Sequence, residues 1–161
     1  MYDFQTQLAI GKEVENALDT YFSKWYHITP VSLDSEKNHG VDRIFTSIQT
    51  AQQKTVEYKA DFKTYKTGNM YVELSVDSDS GYTKNGWALH SIADVIIYAA
   101  ISGTKIVTIY IFSPFTVREY IDKWKGQYRN VVCKNKGYHS KGVLVPIREV
   151  EVMALRTIKM I

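Results

Sequence analysis

Apolar residues recur at spacings of three and four near the start of the chain, at Val14, Leu18, Tyr21, Phe22 and Trp25, and Ile10 extends the stripe backwards. That period predicts an amphipathic helix. Asp3 is placed to cap its start. Gly11 inside the helix costs roughly 1 kcal/mol relative to Ala and is read as permitting close packing. Pro30 ends any continuation, and the polar stretch 34–40 reads as a loop. Three strands are predicted next, over about 41–49, 55–61 and 70–77. The third is the clearest: Met70, Val72, Leu74 and Val76 alternate with Tyr71, Glu73, Ser75 and Asp77. The link between the second and third strands falls at 63–68. A turn-rich loop, DSDSGYTKNG, follows at 77–86. It lacks the full spacing and terminal Glu of a calcium loop.

A helix is predicted over 87–102, with Leu89, Ile92, Ala93, Ile96, Ile97 and Ala100 as its buried face and Gly103 as its stop. The β-branched run 105–112 has the continuity of a central strand covered on both sides. Pro114 leads into a helix over roughly 116–124. The tail predicts a short strand at 143–146, then a strand or a final helix over 150–160. The order α-β-β-β-α-β, with a further helix and a smaller terminal element, predicts an α/β fold. It places one mixed central sheet between flanking helices, in a single domain spanning 1–161.

Composition narrows the class. Of 161 residues, 45% are hydrophobic, enough for a real core and too many for a disordered chain. The formal charge is only +3, but it is uneven. Between Arg118 and Lys141 seven basic residues face two acids, a local +5 that leaves −2 for everything else. A basic segment beside an acidic site suits an anionic polymer. Cys133 is single, which excludes an intramolecular disulfide and a Cys-rich zinc site. The four His residues show no metalloprotease spacing. The start lacks the basic and apolar regions of a signal peptide, and no apolar run approaches membrane-spanning length. The expectation is a cytoplasmic protein.

The candidate chemistry centres on Glu57-Tyr58-Lys59. Residues two apart share a face of a strand, so Glu57 and Lys59 project together while Val56, Tyr58 and Ala60 face the other way. A carboxylate beside an ammonium, joined by carboxylates from neighbouring elements, can hold a divalent cation next to a phosphodiester. Asp42 lies in the preceding strand. Glu15 sits beside the helix stripe. Glu73 has the parity of the polar side of its strand. Lys84 and Asn85 occupy the flexible polar loop before Trp87 and are candidates for phosphate contact, while Trp87 reads as a core anchor. Asp94, in an apolar helix, needs a partner, and His90 one turn earlier is in reach. The cluster 134–141, with Lys134, Lys136 and Lys141, reads as a mobile basic loop for contact with the backbone of an anionic polymer, which is DNA if the resemblance below holds.

At this point the chain resembles the PD-(D/E)xK nuclease superfamily, the restriction-endonuclease-like proteins. Asp42 matches the first acid, although Val41 stands where a proline is usual. Glu57-Tyr58-Lys59 matches the second acid, spacer and lysine. Gly11 to Glu15 matches a helical G-x-x-x-E element, and Gly86-Trp87-Ala88-Leu89 with Ala93 to Tyr98 matches a pattern in some branches. The resemblance covers most of residues 11–112. It implies an α-β-β-β-α-β core and Mg²⁺-dependent hydrolysis of DNA phosphodiester bonds, with Mn²⁺ as a substitute. It implies Asp42 and Glu57 as metal ligands and the Tyr58 carbonyl as a further oxygen. Lys59 would act at the attacking water or the phosphorus, and Glu15 would reach the same site from the helix. The resemblance does not fix the role of Glu73, which stays open between a supporting group, a ligand for another metal and an edge acid. Small homing endonucleases and Holliday-junction resolvases are the similar members. Cutting both strands with one site per chain implies a homodimer, or a homotetramer for a long site. A nucleic-acid-binding or structural protein that keeps the fold without catalysis stays open.

Overall fold

The computed structural model describes residues 4–160. Its elements run α1 Phe4–Phe22, β1 Tyr26–Pro30, α2 Leu33–His39, β2 Arg43–Ser47, β3 Gln53–Asp61, α3 Thr64–Thr67, β4 Asn69–Ser78 and β5 Thr83–Asn85. They continue with α4 Trp87–His90, β6 Val95–Ser102, β7 Lys105–Phe112, α5 Pro114–Gln127, β8 Asn130–Asn135, β9 Tyr138–Pro146, α6 Ile147–Met153 and β10 Arg156–Lys159. The fold is mixed α/β. A six-stranded central sheet has the order β1-β2-β3-β6-β7-β10, with β3 and β6 parallel and the other pairs antiparallel. A second, four-stranded antiparallel sheet has the order β5-β4-β9-β8.

The helix predicted over 87–102 is corrected by the structure. One helical turn, α4, is followed by the strand β6. Seven consecutive residues, Val95 to Ile101, are buried. Val95, Ile97, Ala99 and Ile101 face α1, while Ile96, Tyr98 and Ala100 face the second sheet, α5 and α6. An apolar run of this length satisfies two faces of a central strand as well as it fills a helix, and its periodicity alone does not separate the two. This strand also displaces the third predicted strand from the central sheet. β6 takes the place beside β3, where it is covered on both sides. β4, which alternates apolar and polar residues, pairs with β9 instead. The expected single sheet is therefore two.

Other predicted boundaries shift for local reasons. Residues 34–40, expected as a loop, hold α2. The Ser35 N–H donates to the Ser32 hydroxyl at its start, and Gly40 closes its end at φ 60°. β1 is an edge strand, where Pro30 leaves no central ladder bond unmade. Residues 134–141 are a hairpin, not a mobile loop. Asn135 pairs with Tyr138 across a Lys136-Gly137 turn, with Gly137 at φ 85°. The tail contains both alternatives, α6 and then β10.

In α1 the buried residues are Val14, Leu18 and Phe22, packed on Phe45, Val56 and Tyr58 of the sheet. Trp25 lies beyond the helix and is half exposed. A Cβ at Gly11 would meet nothing within 4 Å, so the close packing expected there is absent. The Asp3 cap lies outside the described residues. No helix among the described residues is long and apolar enough to cross a membrane.

Candidate functional site

The two faces of β3 have different fates. Val56 and Tyr58 are buried against α1. Glu57 and Lys59 therefore project from the opposite face, toward the second sheet, as the two-residue period requires. There they line one cleft of about 520 Å³ together with Glu73 of β4 and Lys84 and Asn85 of β5. Gly40, Glu36, Trp87 and His90 close it from the α2 and α4 side. Tyr82, Gly137 and Tyr138 stand on its other flank.

Glu57 is 4% exposed, an unusual burial for a carboxylate. Its Oε1 lies 2.6 Å from the Lys59 ammonium. Its Oε2 is buried with no hydrogen-bond partner. The backbone of Gly40 makes this placement possible. A Cβ there would sit 3.1 Å from Glu57 Oε2 and 3.0 Å from Ser91 Cα. Ser91 completes the junction by donating its hydroxyl to the Gly40 carbonyl (3.0 Å).

Asp42 is locked to β3 from both sides. Its N–H donates to the Val56 carbonyl (2.8 Å), and its Oδ2 accepts from the Tyr58 N–H (2.7 Å). Burial raises its carboxyl from the ordinary 3.8 to about 6, against the opposing pull of the Tyr58 N–H and Lys59. Glu57 and Glu15 add to the rise. Glu73 is raised for the same first reason, burial, and is pulled back by Lys59, the Trp87 N–H and Lys84. Burial works to lower Lys59, but Glu57, Asp42 and Glu73 outweigh it and hold the side chain above its usual value. At neutral pH Lys59 is an ammonium.

Glu15 comes close enough to Asp42 to influence it, but its Oε2 is occupied by Arg43 Nη2 (3.1 Å) and it does not line the cleft. Sequence reasoning passed over this Arg43 network. Arg43 is 8% exposed; its Nε donates to Asp19 (3.2 Å), its Nη1 to the Asp42 carbonyl (3.0 Å), and it stacks over the Tyr58 ring. The Tyr58 hydroxyl donates to Asp19 as well (2.8 Å). An arginine next to the first acid, opposite two acids one helical turn apart, was the signal available for it.

The later basic segment does not gather at the cleft. The Arg118 guanidinium donates to the Ala88 carbonyl (2.9 Å) and to the Ser91 carbonyl, and so braces the turn that carries Trp87. Lys141 Nζ lies 3.2 Å from Asp77 Oδ2, as does His139 Nε2. Lys134 pairs across the hairpin with His139, and so shares that face rather than the Ser140 and Tyr138 face turned to the cleft. Lys136 is exposed at the turn. Asp94, expected to meet His90, accepts instead from the Thr55 N–H (2.8 Å), while His90 Nε2–H donates to the Lys37 carbonyl (3.1 Å). Lys84 and Asn85 lie on a paired strand rather than a loose loop. Trp87 is the core anchor expected, packed with Tyr98 and Phe112.

No protein-family model, no curated protein and no solved structure matches the chain.

Glu57 lines the cleft, Asp42 and Tyr58 are not among its lining residues, and the oxygens of all three are of the kind a hard cation takes. The candidate ligand atoms are carboxylate and carbonyl oxygens from Asp42, Glu57 and Tyr58; Glu57 Oε1 meets Lys59, and its Oε2 has no hydrogen-bond partner. No group of three or more His, Cys, Asp or Glu poised around one metal position occurs among the described residues.

Proposed function

We propose that this chain is a divalent-metal-dependent DNA endonuclease. The observation that carries the reading is the buried Glu57 Oε2, without a hydrogen-bond partner, on the carboxylate that meets the Lys59 ammonium, with Asp42 fixed just before the adjoining strand β2. A cation held by Asp42, Glu57 and the Tyr58 carbonyl would activate water and offset charge on the phosphate. Lys59 presents a fixed positive charge to the phosphate oxygens as the bond to the attacking water forms and the bond to a sugar oxygen breaks. In the metal-free chain Glu57, Asp42 and Glu73 outweigh burial and keep it charged, which supports an electrostatic role. Glu73, which accepts from the Trp87 N–H, adds negative charge facing the Lys59 ammonium from the second sheet.

The cleft is lined by Glu36, Glu57 and Glu73 against Lys59 and Lys84. Acids outnumber cations, so phosphate enters only once a divalent ion has offset them. DNA binding at this site should therefore strengthen on adding the cation. One site per chain makes a symmetric dimer the simplest way to cut both strands. The test is cleavage of plasmid, linear and branched DNA with Mg²⁺ or Mn²⁺, abolished by EDTA and by Glu57→Gln. Absence of cleavage on all three substrates refutes the reading. Preference for a four-way junction over matched duplex would place the enzyme among resolvases.

A further inference from the structure

The flank of the cleft farthest from α1 is built from two hairpin tips. The β4–β5 hairpin contributes Val76, Ser78, Tyr82, Lys84 and Asn85, with Tyr82 in its turn, and the β8–β9 hairpin contributes Gly137 and Tyr138. Tyr82 is 65% exposed, and no aromatic ring packs on Tyr82 or Tyr138 among the described residues. A bulge between Glu73 and Ser75 sets this arrangement. It shifts the strand parity by one, so that Val76 and Ser78 follow Glu73 onto the cleft side.

The tips are braced. The Asp79 N–H donates to the Gly137 carbonyl (3.0 Å), linking one tip to the other. The Ser78 N–H donates to the Tyr82 carbonyl (2.7 Å), and the Thr83 hydroxyl donates to Asp77 (2.7 Å). Asp77 in turn meets His139 and Lys141. The backbone that carries the two tyrosines is thus fixed before any ligand arrives, which removes part of the ordering cost of binding.

Aromatic rings without ring partners, a lysine and a cleft of about 520 Å³ match the needs of one nucleotide. Bases inside a matched duplex have both faces covered by their neighbours and offer none to such a ring. We propose that this flank binds an unstacked DNA base beside the reacting phosphate, with Tyr82 and Tyr138 as its stacking residues and Lys84 on the adjoining phosphate. The substrates are then DNA containing an unpaired nucleotide, such as a bulge, a flap or a single strand, rather than uniform duplex. The proposal rests on the nuclease reading for the site but concerns binding, and the two fail separately.

The test measures binding by fluorescence anisotropy, using the full chain carrying Lys59→Ala, with Ca²⁺ present. The probes are a matched duplex, the same duplex with a one-nucleotide bulge, and that bulge with its base removed. The bulged duplex should bind at least 10-fold more tightly than the matched one, and removing the base should erase the advantage. Tyr82→Ala and Tyr138→Ala should each weaken bulge binding by about 5- to 150-fold. Tyr82→Phe and Tyr138→Phe should restore it, which loss of folding would not allow. Lys84→Ala should lower the salt slope by about one. Equal affinity for all three probes, or unchanged binding in both alanine variants, overturns the proposal even if wild-type protein cuts matched duplex. Base-dependent binding by a wild-type protein that cuts no DNA would uphold it and remove the nuclease reading.

Discussion

Asp42→Asn should stabilise the metal-free protein while abolishing its proposed activity. The Asp42 carboxyl is raised from 3.8 to about 6, chiefly by burial. Its charged form is thus disfavoured in the folded chain. Between about pH 4 and pH 6 the folded state keeps a proton that the unfolded state has released. Stability falls as pH rises through that window, and the whole penalty is present above about pH 6. At about 1.4 kcal/mol per pKa unit it amounts to about 3 kcal/mol. Asparagine can still accept the Tyr58 N–H through its carbonyl oxygen. It loses the attraction of Lys59 and adds an amide N–H₂ to satisfy, so the expected gain is about 1–3 kcal/mol. In a chain of this length that is a melting temperature higher by about 2–10 °C. Thermal unfolding in EDTA at pH 8 and pH 5 measures it, and the gain should shrink at pH 5. Saturating Mg²⁺ should narrow the pH 8 difference, because a bound ion stabilises only the wild type. A variant that melts at or below wild type at pH 8 in EDTA, with unchanged circular dichroism, refutes the argument.

Lys59→Ala should remove most cleavage at saturating Mg²⁺ and leave DNA affinity within a few-fold, as steady-state cleavage and anisotropy will show; equal rates would sink its proposed role. Gly40→Ala should cost about 2 kcal/mol or more in urea unfolding, since φ 60° is strained for alanine and the new Cβ meets Ser91 and Glu57; an unaffected midpoint would contradict the crowding. Arg43→Ala should destabilise by about 2–3 kcal/mol, below the loss typical of a fully buried pair because Asp19 and Glu15 are partly exposed; a melting curve superimposable on wild type would show that the network carries no stability. Lys134→Ala with Lys136→Ala should flatten the salt dependence of DNA binding less than Lys84→Ala does, because neither lines the cleft.

Local chemistry alone determined the strongest parts of the reading. The period of α1, the alternation of β4 and the continuity of β7 each follow from side chains a few residues apart, and the structure has all three. The shared face of Glu57 and Lys59 was legible for the same reason, because a strand's period of two holds wherever the strand is placed. The burial that raises the Asp42 carboxyl and orphans Glu57 Oε2 was not legible. For Glu57 it comes from residues distant along the chain, Gly40 and Ser91 at its carboxylate and β4 across the cleft. The same holds for the errors. Val95 to Ile101 is apolar at every position, so its own pattern admits a helix or a strand, and only the vacancy beside β3, covered on both faces, makes it a strand. The basic run 118–141 was visible as charge, but its division was set by tertiary partners. The Ala88 and Ser91 carbonyls take Arg118, Asp77 takes Lys141, and hairpin pairing turns Lys134 from the cleft. Charge is a property of composition, whereas the partner each charge meets depends on which elements pack together.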